Sequence, residues 1–592
     1  MMKRFVLFSF VLLFGLIFVN QDLSAKKFKK PTAEEMLYNS AQGREFWIAI
    51  PPNEADGQPL GNTDPISIEI YVTSSYDCEV TLEVPGLGVL LTKKVDAFEI
   101  TTFSTPAGET SFDWEIRRSD EVTNKGVRLH ATQPISVYVL SRRNVTSEGY
   151  LAIPISACGT DYIHLAYYDF MENLRGGEYR GSGFIIIAAE DNTECYITLK
   201  GVGGAYPDAH LSGTNERKIG ESYKVTLQKG QTYAAFGTGK TRGVFDISGT
   251  SVRSNKPVGF ISFHKRTLIP SYDLYNGRDM LVEMMPPVDR WGKKYATVEY
   301  KRNDHGDFFR VIAAEDNTEV TVNWYDKETK QKIKKVNFPL RKAGDFWEYM
   351  EVDVPRYDDN TFVSIEGTSV FEADKPVLVM QYSYSADWDN ATEFDPFMIL
   401  VCPVEQYIPG TVFQTPDGAS GFNTNWFNIV AVGDTNDLSQ PDLKSIELDG
   451  EPIHVLESQF TMNRIPTTNL YWAKIPVNPG AHRLTSNGNT KFGGYIYGFS
   501  QHDSYGWPAA MAFNVIGEVD TLPPVLSKEE ICGNYTIRIT ELRNGKEGDK
   551  PKQVDRGIMS IELLEGSYNY DLDLNDFRPW PTNYDWTIYA NV

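Results

Sequence analysis

The side chains able to do chemistry are scattered along this chain, and their spacing is the first informative fact. Eight histidines, His130, His164, His210, His264, His305, His454, His482 and His502, form neither an HxH nor an HExxH pair. The local arrangement that holds a catalytic zinc ion on one strand or helix face is therefore not written. No Gly-x-Ser-x-Gly elbow presents a nucleophile, and no glycine loop of the phosphate-cradling type occurs. A Ser-His-Asp group assembled from distant residues stays open, since such groups need not be near in sequence. His264, at the end of a strand-like run beside Lys265 and Arg266, reads as a solvated strand end rather than a site.

Carboxylates offer one further pattern. Asp571-Leu572-Asp573-Leu574-Asn575-Asp576 spaces oxygen ligands as a calcium loop does, but an EF-hand needs glycine sixth and glutamate twelfth, where this chain has Asp576 and Thr582. Alternating Asp and Leu also describes an exposed strand, which is the favoured reading. The Glu190-Asp191 and Glu315-Asp316 pairs could hold calcium too, although turn chemistry already accounts for them. Structural calcium is thus the one cofactor left open. Tyr382, Tyr384 and Trp388, and later Tyr505 and Trp507, are either a platform for a sugar or protein or part of a β core, and the core is favoured. Five cysteines, Cys78, Cys158, Cys195, Cys402 and Cys532, lie too far apart for a zinc or CxxC motif. Cys78 and Cys195 align with Val320 on a strand and read as small core residues, ahead of a disulfide. The expectation is no catalytic, cofactor or metal residue, with the ligand-binding residues unassigned.

The elements that position these groups repeat. Gln133-Pro134-Ile135, Lys256-Pro257-Val258 and Lys375-Pro376-Val377 each lead an apolar run, and a looser copy runs from Lys491 to Phe499. Their first residues lie 123, 119 and 116 positions apart, so one unit of roughly 120 residues is used about four times. Units two and three match best: Phe184–Glu194 answers Phe309–Glu319, both ending in Ala-Ala-Glu-Asp-Asn-Thr-Glu. This reads as a strand, a tight turn and a second strand. A Leu-x-x-Gly type turn follows (Leu227–Gly230, Leu340–Gly344), then the Lys-Pro strand, with proline at the strand's opening position. Six or seven strand-like runs per unit and no long amphipathic helix give an all-β fold of tandem antiparallel β-sandwich-like units, with a β-propeller as the alternative. The repeats are expected at about 43–170, 180–300, 305–415 and 422–515. Beyond Pro523-Pro524, residues 525–592 read as a small Ig-like β module, with strands at Tyr535–Thr540, Ile558–Leu564 and Trp586–Tyr589.

Composition sets the compartment. Lys3 and Arg4 precede an apolar run from Phe5 to Val19 and a small-residue end at Ala25, so 1–25 reads as a secretory signal peptide whose phenylalanine-rich core suits a bacterium. The formal net charge is −22, and removing 1–25 leaves about −23. Such a surface repels phosphate backbones, which argues against nucleic acid. No other stretch reaches the roughly 18 apolar residues of a membrane span. The chain is expected to be secreted or held at the cell surface.

Gly43-Arg44-Glu45-Phe46-Trp47, the two Ala-Ala-Glu-Asp-Asn-Thr-Glu hairpins, the Lys-Pro-Val strands, Pro286-Pro287-Val288-x-x-Trp291-Gly292 and Gly493-Gly494-Tyr495-Ile496-Tyr497-Gly498-Phe499, with Ser504–Pro508 behind it, form an ordered set. Over about 43–515 the set resembles the N-terminal domain of the IgGFc-binding protein family, found in a mucus-associated animal protein and in many exported bacterial proteins. The resemblance implies an extracellular, non-enzymatic binding or adhesion module that contacts a protein or glycan, with immunoglobulin Fc or a mucin-like ligand as the family's example. No motif marks a ligand contact. A secreted hydrolase on a β scaffold and a structural cell-envelope spacer are the alternatives.

Overall fold

The computed structural model describes residues 41–516, 525–531, 534–540 and 585–590, with gaps between strands in the first range, the longest at 349–363, 54–66 and 434–444. Regular structure among them is almost entirely strand, with short 3₁₀ turns and one four-residue helix, Ser111–Trp114.

Unit three shows how the sequence builds a unit. One sheet orders Lys294–Val298, Thr368–Ala373, Thr318–Tyr325 and Lys332–Leu340; the other orders Phe346–Glu348, Phe308–Ala313, Val377–Tyr382 and Met398–Leu400. Alternation along Thr318–Tyr325 buries Val320 and Val322 and leaves Glu319 in solvent, the period-two pattern of a half-buried strand. Phe309, Val311 and Val379 of one sheet share a single core with Val320, Val322 and Phe371 of the other. Two antiparallel sheets enclosing one core make a β-sandwich. The unit is therefore not a set of single-sheet propeller blades.

In units one and two the proline-led phrase has a different place from the one its sequence implies. In unit two it lies inside one long strand, Ser251–Thr267, and in unit one inside Val127–Arg143. This crossing strand pairs first with one sheet (Ser254 opposite Cys195), then with the other (Val258 opposite Ala188). Pro257 falls between the two registers, where no ladder needs its missing N–H. In units one and two proline thus marks the bend at which the strand changes sheets, whereas in unit three Pro376 stands at the opening of Val377–Tyr382, as expected. Pro257→Ala is expected to cost no more than about 1 kcal/mol, through unfolded-state entropy alone, as read from the denaturant midpoint.

The other repeated phrases meet at that same bend. Asn192 and Asn317 take the left-handed conformation, φ 54° and 55°, which asparagine tolerates better than most residues. Asp191 Oδ1 accepts the Lys229 amide and Asp316 Oδ1 the Ala343 amide, both at 2.9 Å. The Lys-Pro lysines close the corner, Lys256 Nζ donating to Asp191 O at 2.7 Å and Lys375 Nζ to Asp316 O at 2.5 Å. In register, the residue at the Val320 position of unit one is Val80, opposite Ala131 as Val320 is opposite Ala373. Cys78 sits two residues earlier and is only half-buried, which corrects its alignment; Cys195 is buried as expected.

Units one to four close into a ring. The last strand of unit one (Thr146–Leu151) touches those of unit two (Asp279–Met284) and unit four (Asp503–Ala510), and that of unit three (Met398–Leu400) also touches both. These four axial strands run one, two, three, four and back to one. The outer seams agree: Gly43–Ile48 packs on Ser182–Ala188, Lys294–Val298 on Thr424–Val432, and Gly410–Gln414 of unit four on Ser67–Thr73 of unit one. Short 3₁₀ turns after Pro154, Pro287 and Pro403 link the units. A methyl group on Gly43, Gly159 or Gly292 would overlap the ring of the matching proline, so each first strand starts hard against its own unit's exit. Beyond the ring, Val525–Ile531, Asn534–Thr540 and Asp585–Ala590 form an antiparallel sheet. Ile558–Leu564 and Asp571–Asp576 lie outside the described residues.

Candidate functional site

The ring brings distant groups together on its axis. Each axial strand follows its unit's crossing strand along the chain, and the starts of the four axial strands gather at one end of the ring axis. Hydrogen bonds there run right round the axis. Thr146 Oγ1 of unit one donates to Asp279 Oδ1 of unit two at 2.5 Å. Ser385 N of unit three donates to Ile269 O of unit two at 2.9 Å, and Ile269 N returns to Ser385 Oγ at 3.0 Å. Ser504 Oγ of unit four donates to Asp395 O of unit three at 2.9 Å, and Ser147 Oγ of unit one to Asp503 Oδ2 of unit four at 2.8 Å. Every unit contributes to this circuit of contacts, and the residues that make it are all buried.

Beneath it the axis is packed solid, since every residue of the four axial strands is buried. Asp279 and Asp503 lie close enough to repel each other, and burial with that repulsion pushes the Asp279 carboxyl well above its ordinary range. Burial pushes Asp503 up to about 7, against the opposing pull of Ser147 and Arg142. Glu148 and Glu283 sit deeper and are also pushed well up by burial. Among the described residues no group of three or more His, Cys, Asp or Glu is placed to hold a metal ion.

A second cluster lies between units two and three. His164 Nδ1 is 2.9 Å from Ser262 Oγ, the spacing of a base and a hydroxyl nucleophile. All of it is sealed: His164, Ser262 and Asp246 are each buried. Asp246 is committed to the Arg310 guanidinium at 2.6 Å and to the Ser248 amide at 2.8 Å. Burial lowers the His164 and His264 pKa to about 3, so both rings are neutral and act as packing and hydrogen-bonding groups.

The residues singled out from the sequence divide between those whose readings hold and those whose readings do not. His264 is not a solvated strand end; it is fully buried, with its Nε2 2.8 Å from Tyr168 O. Tyr382, Tyr384, Tyr505 and Trp507 follow the favoured reading, since all four are sealed in the core. Trp388 alone of that set is half-buried, stacked on Tyr384 with centroids 4.3 Å apart, in the turn ahead of unit three's axial strand. The Gly493–Phe499 phrase builds the seam between units three and four, where Tyr495, Tyr497 and Phe499 pack against Tyr300, Phe397 and Ile399. Tyr495 OH reaches Val298 O at 2.5 Å, and the Lys301 amide donates to Tyr497 OH at 2.8 Å.

The model of the family described as IgGFc binding protein matches residues 148–498, more than half of the chain. The chain belongs to that family. The match opens at Glu148, on the first axial strand, and ends at Gly498, in the last seam. This family member is also similar to the human protein named IgGFc-binding protein, 22% identical over 406 residues, which is 68% of this chain and 6% of the human one. The chain therefore spans only a small fraction of that relative's length. A crystal structure of a tetra-tandem repeat in the extending region of a large adhesion protein aligns with 81% of this chain and 97% of its own at 11% identity. Its TM-score of 0.08 carries no argument. Among the described residues of this family member no helix is long and apolar enough to cross a membrane.

Proposed function

We propose that the chain is an exported, non-enzymatic binding module that holds an extracellular protein, or a glycan on one, against the end of the ring at which the four axial strands begin. Membership of a family named for binding supports the reading, but one structural observation carries it. The phrases that recur along the chain are spent on corners, linkers and seams, so contact with a partner falls to the segments that lead into the axial strands, among them Ala386–Asp389 of unit three. Trp388, like Phe394 of the same segment, is half-buried, and half-buried aromatics anchored by a stacked neighbour suit binding hot spots. A net charge of −22 favours a basic partner or a neutral glycan over nucleic acid. Immunoglobulin G Fc, mucin and mammalian glycans are the first partners to try.

The test is capture of each by the immobilised full chain, followed by Trp388→Ala. Binding to one partner should weaken by about tenfold or more, which is about 1.4 kcal/mol. Tyr196→Ala, removing an aromatic exposed on the outer sheet of unit two, should leave that affinity unchanged. Equal loss in both variants, or binding confined to residues 525–592, would rule out this end of the ring.

A further inference from the structure

We propose that closure of the ring is proton-controlled: Glu148 and Glu283 clamp neighbouring units in their neutral form, and ionisation of these two side chains loosens the seams that they bridge. Glu148 Oε1 accepts the Gly149 amide at 2.9 Å and, across the seam, the Gly506 amide of unit four at 3.2 Å. Glu283 Oε1 of unit two accepts the Leu400 amide of unit three at 3.0 Å. Each glutamate therefore ties its axial strand to the backbone of the neighbour on the far side, one at the one–four seam and one at the two–three seam. Both side chains are buried, and neither Oε2 has a hydrogen-bond partner among the described residues.

The surroundings decide the protonation state. The charged groups facing Glu148 are Asp279 and Glu283 of unit two's axial strand, both acids; the groups that favour its ionised form are the Gly149 and Gly506 amides. Glu283 is faced by the Leu400 and Met284 amides and, across the axis, by Glu148. One layer up, Asp279 faces Asp503 and Asp395, with Thr146 and the Arg266 guanidinium opposing them; Asp503 faces Ser147, Ser504 and Arg142. Arginines thus stand against the upper acids, while the charges beside Glu148 are negative. A carboxylate buried without a cation costs several kcal/mol, more than one or two amide hydrogen bonds return.

Linkage gives the sign. An unfolded glutamate ionises near about 4.3, and the folded value is raised, so both states are neutral at lower pH and stability is unaffected there. As pH rises past the unfolded value, the unfolded chain releases its protons while the folded ring retains them, and stability falls. The fall ends above the folded value, where the seams carry charge. The ring is therefore tightest in mild acid and loosens towards neutral and alkaline pH.

The test uses the full chain and the Glu148→Gln/Glu283→Gln pair, which keep shape and acceptor but cannot ionise. Hydrogen exchange of peptides containing Gly506 and Leu400, corrected for intrinsic rate, should quicken about tenfold or more between about pH 5 and pH 9 in the native chain. The paired variant should lose most of that dependence, and its melting midpoint should vary less with pH than the native one. An unchanged pH dependence in the paired variant would overturn the proposal. Should the pair not fold, infrared spectra of the native chain and each single variant decide. A protonated-carboxyl band at about pH 6 that is lost with each glutamate supports it, and its absence from the native chain overturns it.

Discussion

Arg310→Ala is expected to destabilise the ring by about 3–5 kcal/mol, the range for removing one partner of a buried ionic group. Arg310 lies in Phe308–Ala313 of unit three and is fully buried. Its Nη1 donates to Asp246 Oδ2 at 2.6 Å and to Ala166 O at 2.8 Å, both in unit two, and its Nε to Glu348 Oε2 at 3.0 Å in its own unit. Tyr167, Tyr168 and Phe346 lie about the guanidinium with centroids 4.8, 4.5 and 4.5 Å away. Truncation strands two buried carboxylates and opens a cavity at one seam. Arg310→Lys should recover little, because an ammonium cannot reproduce the fork that addresses two acids and a carbonyl. Arg310→Met combined with Asp246→Asn and Glu348→Gln should recover part of the loss by removing the stranded charges. Denaturant midpoints on the full chain check all three, and a loss below about 1 kcal/mol for Arg310→Ala would mean that the seam does not depend on this side chain.

The unit was legible in the sequence and the ring was not, and the physics of each explains why. A corner is local. Asp191, Asn192 and Lys256 lie within one unit, and the same side-chain-to-backbone bonds recur at Asp316, Asn317 and Lys375, so periodic phrases report them. Proline stands at a strand's opening in unit three and at a change of ladder partner in units one and two, because both places make the same demand, a residue whose N–H is not needed. Ring closure rests instead on pairs such as Glu148 with Gly506 and Ser147 with Asp503, more than 350 positions apart, and nothing local marks either member.

Burial on the axis hides in the same way. Glu148 and Asp279 stand in strands whose other faces are also covered, so an acid that alternation assigns to solvent ends up sealed. His264 misled because Lys265 and Arg266 beside it look solvated. Arg266 is in fact buried against the seam, facing Asp279. The Tyr495 and Tyr497 pattern reads equally as a binding platform or a packed seam, because aromatics with a polar tip suit both. Only the partner surface of unit three decides between them. The third linker, Cys402-Pro403-Val404, lacks the Pro-Pro pair and the Trp-Gly end of its predecessor, so its equivalence shows only in the shared 3₁₀ turn and in Gly292 resting on Pro403.

Trp507→Ala is expected to cost about 3–5 kcal/mol, as for other large core truncations, and its effect should appear in a unit other than its own. Trp507 stands on the axial strand of unit four, fully buried, with its Nε1 donating to Gln414 O at 3.2 Å. Its ring lies 5.2 Å from that of Tyr138 on the crossing strand of unit one and 4.4 Å from Tyr505. Gly149 of unit one's axial strand backs directly onto it, since an added Cβ there would meet the indole at 2.8 Å. Four sandwiches strung in a line would confine the damage to unit four. A closed ring predicts that hydrogen exchange also quickens in Thr146–Leu151 of unit one, while the unit three corner around Asp316 and Lys375 keeps its protection. Trp507→Phe should retain most of the packing, cost about 1–2 kcal/mol, and leave unit one protected. Exchange restricted to unit four in the alanine variant would mean that units one and four do not hold each other in solution, and the end of the ring proposed to bind a partner would lose the closure that gathers its four segments.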